Sequence, residues 1–253
     1  MILEFALVLT AAFIAGLIDS MAGGGGLIQL PALFAAFPAA PHPVLLGTSK
    51  LAGLASTLSA AARYLRHVRI DPRVVVPAAA CALVTAPIGA WLATQVAPQR
   101  FRALVPVLLA LVLAHTLLRR DFGQRHLPRA TGGRIAIAAA AGTVGLYNGF
   151  FGPGTGSFLV VIFIQLAGFD FLHATASAKL VNAAANATAL LLFALTGEIY
   201  WLLGIAMATC GFIGAQVGSH LAVRRGSAFV RAVFIVVVGC LIAKTAADGL
   251  RNL

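Results

Sequence analysis

The sequence predicts an all-α polytopic membrane protein made of two homologous repeats, and three observations carry that prediction. The 253 residues are 60% hydrophobic and 10% charged, whereas soluble domains carry about 25% charged residues. The apolar residues gather into runs as long as a hydrocarbon core of about 30 Å requires, roughly 20 helical residues each. The two halves of the chain also match each other at a constant offset of 129 residues.

The charge pattern excludes other classes. Eighteen Lys and Arg against seven Asp and Glu give a net charge of +11, but these cations sit in short gaps between apolar runs, as the positive-inside rule expects. Disorder, a disulfide scaffold and a nucleic-acid binder are excluded on that ground. Cys81, Cys210 and Cys240 fall inside apolar runs without metal-ligand spacing and read as small buried hydrophobes. The chain enters apolar sequence directly with Glu4 in place of a basic leader, so the first segment is expected to be mature protein.

Clear spans are expected near 44–62, 74–97, 101–118, 173–195, 199–222 and 228–247. Segments 2–37 and 134–169 are too long for one upright helix and are interrupted by Gly23, Gly24, Gly25 and Gly26 in one and by Gly152, Pro153 and Gly154 in the other. Each is read as a broken pair, tolerated at membrane depth where it is buried in protein or lines a wet cavity. The polar stretch 119–133 is the expected basic linker between a first repeat, 1–118, and a second, 134–253.

The repeat register runs without a gap from Gly16 to Ala103. Gly16 falls on Gly145, Gly23 and Gly25 on Gly152 and Gly154, Lys50 on Lys179, Gly89 on Gly218, and Arg102 on Arg231. Matches of Ala or Leu would be weak, but Gly, Lys and Arg are uncommon in spans and keep the same register. If each broken segment returns to its starting side, loops 63–73, 119–134 and 224–231 share one side with twelve cations against four. That side is then cytoplasmic, both termini lie outside, and the repeats are inverted, each a glycine-broken hairpin plus three transmembrane helices.

Ionisable residues inside spans are expensive and face a cavity or a partner. Lys50 in Gly47-Thr48-Ser49-Lys50 and Lys179 in Ala176-Ser177-Ala178-Lys179 form a symmetric pair early in the helix after each broken segment. Ammonium charge, the hydroxyls of Thr48, Ser49 and Ser177 and freed backbone N–H groups together suit an oxyanion. Snorkelling of both lysines to headgroups is the competing reading. The breaks at Gly23 to Gly26 and at Gly152 and Gly154 either cradle an anion as nests do or only allow tight packing. Asp19 and Asn148 correspond at the same offset; Asp19 is the candidate for a coupling proton, or the ion-pair partner of Lys50 or Lys179. Asn182, with Asn186, Tyr147, Gln29 and Gln165, either lines a path or bonds helix to helix. No catalytic constellation is visible, and no cofactor or metal is called for.

Residues Gly16 to Pro31, Gly47-Thr48-Ser49 and Arg69-Ile70-Asp71, then Gly145 to Gly156 with Ser177-Ala178-Lys179, resemble the two halves of the sulfite exporter TauE/SafE family signature. The resemblance covers essentially the whole chain. It implies a transporter of small sulfur-containing anions, such as sulfite or sulfonates, in the cytoplasmic membrane of a prokaryote, without fixing direction or cargo. The second half departs from the first with Pro153 and Thr155 among its glycines and Ala176 in place of Gly47, so the half-sites need not contribute equally. The leading expectation is a secondary transporter working by alternating access; a passive anion channel and a non-transporting accessory protein are the alternatives. The expected partners are a small anion and the lipid bilayer, with a homodimer left open and no nucleic acid.

Overall fold

The computed structural model describes residues 2–101, 104, 105, 107, 108, 111 and 133–251, and beyond Arg225 only Phe229 among the side chains. The described residues form helices joined by short turns, with no strand among them. The elements are α1 (Ile2–Ala22), α2 (Gly26–Ala36), α3 (His42–His67), α4 (Pro72–Gln95), α5 (Arg134–Phe150), α6 (Thr155–Ala167), α7 (Phe171–Leu195) and α8 (Trp201–Arg251). Five stretches are long and apolar enough to cross a membrane: Leu3–Met21, α3, α4, α7 and Trp201–Arg225. Part of the expected span 101–118 and, apart from Gly133, the linker 119–133 lie outside the described residues.

Local chemistry sets several ends. Asp71 accepts from Arg73 N at 2.9 Å and opens α4 with Pro72 behind it, and Asp170 accepts from the backbone N of Leu172 and His173 to open α7. These carboxylates satisfy N–H groups that the first helical turn leaves without a partner. Each broken segment becomes a long helix followed by a short one. At 1.5 Å per residue α2 spans about 16 Å and α6 about 20 Å, half to two-thirds of a hydrocarbon core. Phe37 at the end of α2 meets Phe5 near the start of α1, ring centroids 6.0 Å apart, so α2 doubles back along α1.

Contacts fix helix directions. Phe13 and Leu17 of α1 abut Gly214 and Gly218 of α8 in the same order, so these helices run parallel. Gly142, Gly145 and Gly149 of α5 step along Cys81, Ala82 and Ala86 of α4 in the same sense. His42 at the start of α3 reaches the Ala93 carbonyl late in α4 at 3.0 Å, which makes that pair antiparallel. Ser56 and Arg63 of α3 meet Gly211 and Gln216 of α8 in rising order. Helices α1, α3 and α8 therefore point one way and α4 and α5 the other, so the equivalent helices α1 and α5 run in opposite directions.

One expectation is corrected. The loop expected at 224–231, with spans 199–222 and 228–247 on either side, is absent: α8 continues through it as one helix of 51 residues, with Arg224 and Arg225 exposed on its surface. No proline occurs there, and Gly226 costs a helix only about 1 kcal/mol, too little to break it. Those two arginines therefore stand on a helix and cannot be counted as loop cations.

Small residues at the α1–α8 and α4–α5 seams let the backbones touch, as helix pairs in membranes require. A Cβ at Gly218 would collide with the Leu17 carbonyl, and one at its counterpart Gly89 with the Leu146 carbonyl. Gly89→Leu is expected to destabilise the protein by about 1–3 kcal/mol, as overpacking does, and so to lower its melting temperature in detergent. Gly133→Ala, where a Cβ meets nothing within 4 Å, should leave it unchanged in the same thermal assay. Outward faces carry Val84, Ile88, Trp91, Leu195 and Leu202, all exposed, an apolar surface suited to lipid.

Candidate functional site

The two breaks meet. The backbone at Gly156 packs on the Cα of Gly23, and Gly26 faces Pro153. Gly23, Gly24, Gly152 and Gly154 all have positive φ, which L side chains rarely adopt and glycine adopts freely, so only glycine lets both chains turn back here. Tyr147 Oη donates to the Pro153 carbonyl at 2.7 Å and Thr155 Oγ1 to the Gly152 carbonyl at 2.6 Å, pinning the second break. Tyr64 Oη donates to the Ser20 carbonyl at 2.8 Å and holds the end of α1.

Beside the crossing lies a cleft of about 530 Å³ including its mouth. Its charged lining is Lys50 and Asp19; its polar lining includes Gln29, Ser49, Asn148, Asn182 and Asn186. Gly24, Gly25 and Gly26 at the start of α2, and Gly152, Gly154, Thr155 and Gly156 at the start of α6, also border it. Two helix N-termini thus open on one space, and each presents partial positive charge and N–H groups to it.

The lysines cross between the repeats. Lys50, 5% exposed, donates to the backbone and side-chain oxygens of Asn148 and at 3.5 Å to Asn186 Oδ1. Lys179, 1% exposed, donates to the Asp19 carbonyl and makes an ion pair with Asp19 Oδ2 at 2.8 Å. Each lysine grips the residue that is the other's partner moved by 129 positions. Chemically the two ends differ. Asp19 neutralises Lys179 and also accepts from Gly25 N at 3.4 Å. Lys50 meets only neutral oxygens, and among the described residues it has no carboxylate ion-pair partner. Asn148 is held in turn by donating Nδ2 to Asn182 Oδ1 at 2.7 Å.

Lys50, Ser49, Asp19, Asn148, Asn182, Gly24 to Gly26, Gly152 and Gly154 all line the cleft as expected positions of a site. Four expected residues do not. Thr48 Oγ1 donates to the Val44 carbonyl at 2.6 Å and accepts from Tyr200 N at 3.0 Å, which ties α3 to the start of α8. Its counterpart Ser177 is buried with no hydrogen-bond partner for Oγ among the described residues, and it does not border the cleft. Gly23 is covered by Gly156 and Ser157. Lys179 lies behind Asp19, not on the wall. The helical period explains the first two: Thr48 and Ser177 precede their lysines by two residues, about 200° around the helix.

Gly53, Ser56 and Thr57 line the cleft and were not foreseen. The signal was there, since Gly53 and Thr57 fall on Asn182 and Asn186 at the 129 offset. Snorkelling of Lys50 and Lys179 is excluded by their burial against partners of the opposite repeat.

The family described as Sulfite exporter TauE/SafE matches residues 8–245. The chain belongs to that family. This TauE/SafE protein is 36% identical over 243 residues to a probable membrane transporter protein, ORF9, of Sinorhizobium sp., which covers 96% of this chain and 92% of that one. It is 36% identical to the probable membrane transporter protein YfcA of Escherichia coli strain K12, over 94% of this chain and 87% of the other. A probable membrane transporter protein of Haemophilus influenzae is 29% identical over 96% and 94% of the two chains. No solved structure matches. Family and relatives are described as transporters and not as enzymes, and with its five candidate spans this chain is a multi-pass membrane transporter of the TauE/SafE family.

Proposed function

We propose that this transporter is a secondary carrier that moves a small anion, sulfite, an organosulfonate or another sulfur oxyanion, across the cytoplasmic membrane by alternating access. The observation that carries the reading is Lys50: a buried ammonium on the wall of a cleft, with two helix N-termini on the same space and no carboxylate partner among the described residues. A cation in low dielectric favours a solute that supplies the missing negative charge. The family description, Sulfite exporter, supplies the sulfur-anion class. Opposed repeats whose breaks meet at the cleft provide a fixed site about which one repeat can rock against the other. By the positive-inside rule the charged stretches 63–73 and 119–134 lie on the cytoplasmic side and the N-terminus outside.

Proteoliposomes offered sulfite, methanesulfonate, sulfoacetate and sulfate, with an amino acid as control, are expected to show saturable uptake of at least one sulfur anion. An imposed pH gradient should change the rate if Asp19 carries a coupling proton. Non-saturating flux at conductance far above carrier turnover would replace the carrier with a channel, and no uptake of any anion by folded protein would overturn the anion reading.

A further inference from the structure

The two ends of the lysine pair differ by one charge, and that difference predicts which anions the cleft takes. Lys50 and Lys179 are equivalent by the repeat, as are Asn148 and Asp19. Where Lys179 meets the Asp19 carboxylate at 2.8 Å, Lys50 meets the neutral amide of Asn148, which is itself backed by Asn182 at 2.7 Å. Among the described residues the charged groups at or against the cleft are Lys50, Lys179 and Asp19, which leave one positive charge without a counter-charge. Unbalanced charge in a poorly solvated site is costly in either sign. A solute with a single negative charge makes the loaded cleft neutral, and one with two leaves it as unbalanced as when empty.

We propose that the cleft selects monoanions, with the solute supplying at Lys50 the one charge that Asp19 already supplies at Lys179. Lys50 and Gly152 both line the cleft, and at Gly152, φ +100°, a Cβ would lie 2.6 Å from Lys50 Nζ, so a residue without a side chain is what lets the ammonium border that space. The inference rests on the anion reading above, and it specifies the charge class of solute for that same site.

The test is competition for uptake of radiolabelled methanesulfonate, a permanent monoanion, into proteoliposomes. Unlabelled ethanesulfonate is expected to compete at least tenfold more effectively than the dianions sulfate and thiosulfate. Asp19→Asn, which adds one net positive charge, should shift the ratio at least tenfold toward the dianions. Asn148→Asp, which places a second built-in carboxylate against a lysine, should abolish uptake of methanesulfonate while the protein remains monodisperse. Sulfate or thiosulfate competing as well as ethanesulfonate in the native protein would overturn the charge rule, as would an unchanged ratio in Asp19→Asn or full uptake in Asn148→Asp. If the native protein moves sulfate but not methanesulfonate, the charge rule fails while the anion reading stands. If it moves no anion at all, both fail.

Discussion

Lys50→Gln is expected to cut saturable anion uptake by roughly thirtyfold or more, with the protein still inserted and monodisperse. The glutamine amide keeps part of the length and hydrogen-bonding capacity of lysine but not its charge. Truncating one side of a desolvated charge contact costs about 2–5 kcal/mol, and 1.4 kcal/mol is a factor of ten. Lys50 has only neutral partners in the folded chain, Asn148 and Asn186, so the lost charge leaves no orphaned carboxylate behind. The loss should therefore appear in transport and scarcely in the melting temperature. Initial rates against concentration at matched reconstitution, read beside thermal unfolding of the same samples, check both halves of that statement.

Lys179→Ala should behave in the opposite way. Its partner is the Asp19 carboxylate, in a pair whose two side chains are 1% and 15% exposed. Removing one member of a buried pair costs about 3–5 kcal/mol, because the other charge is left buried and uncompensated. The single variant should unfold at markedly lower temperature, and Asp19→Ala together with Lys179→Ala should recover much of the loss. A double-variant cycle in thermal or denaturant unfolding measures the coupling. Additive single effects would mean that the pair contributes nothing to holding α7 against α1.

These contrasting outcomes follow from a symmetry that is legible in the sequence alone. The register of Lys50 with Lys179 and of Asp19 with Asn148 identified the four groups that meet, and the glycine runs identified the breaks. What sequence left open was who pairs with whom, since Asp19 could reach either lysine on pattern alone. The answer needed the crossing of the repeats, which lies in contacts between residues about 100 to 160 positions apart.

Where structure and sequence pattern differ, the reasons are equally physical. Thr48 and Ser177 are close to the lysines in sequence, but two residues on a helix is more than half a turn, and both hydroxyls face away from the cleft. The loop expected at 224–231 came from charge, and charge does not break a helix; without proline the hydrogen-bond ladder of α8 runs on through Arg224 and Arg225. Gly53 and Thr57 carry no charge to mark them, and only the repeat register, which sets them on Asn182 and Asn186, connects them to the cleft.

The most direct test of the cleft as the anion site is ligand protection of a thiol placed beside Lys50. Ser49 lines the cleft and accepts from Gln29 Nε2 at 3.3 Å. Ser49→Cys would be made in a chain whose Cys81, Cys210 and Cys240 are replaced by alanine, and its maleimide labelling rate followed in proteoliposomes with increasing methanesulfonate. Labelling is expected to slow saturably, with half-protection near the concentration that half-saturates uptake, and to be unaffected by the amino acid control. Labelling that stays at one rate while the same vesicles take up the anion would place the transport site elsewhere.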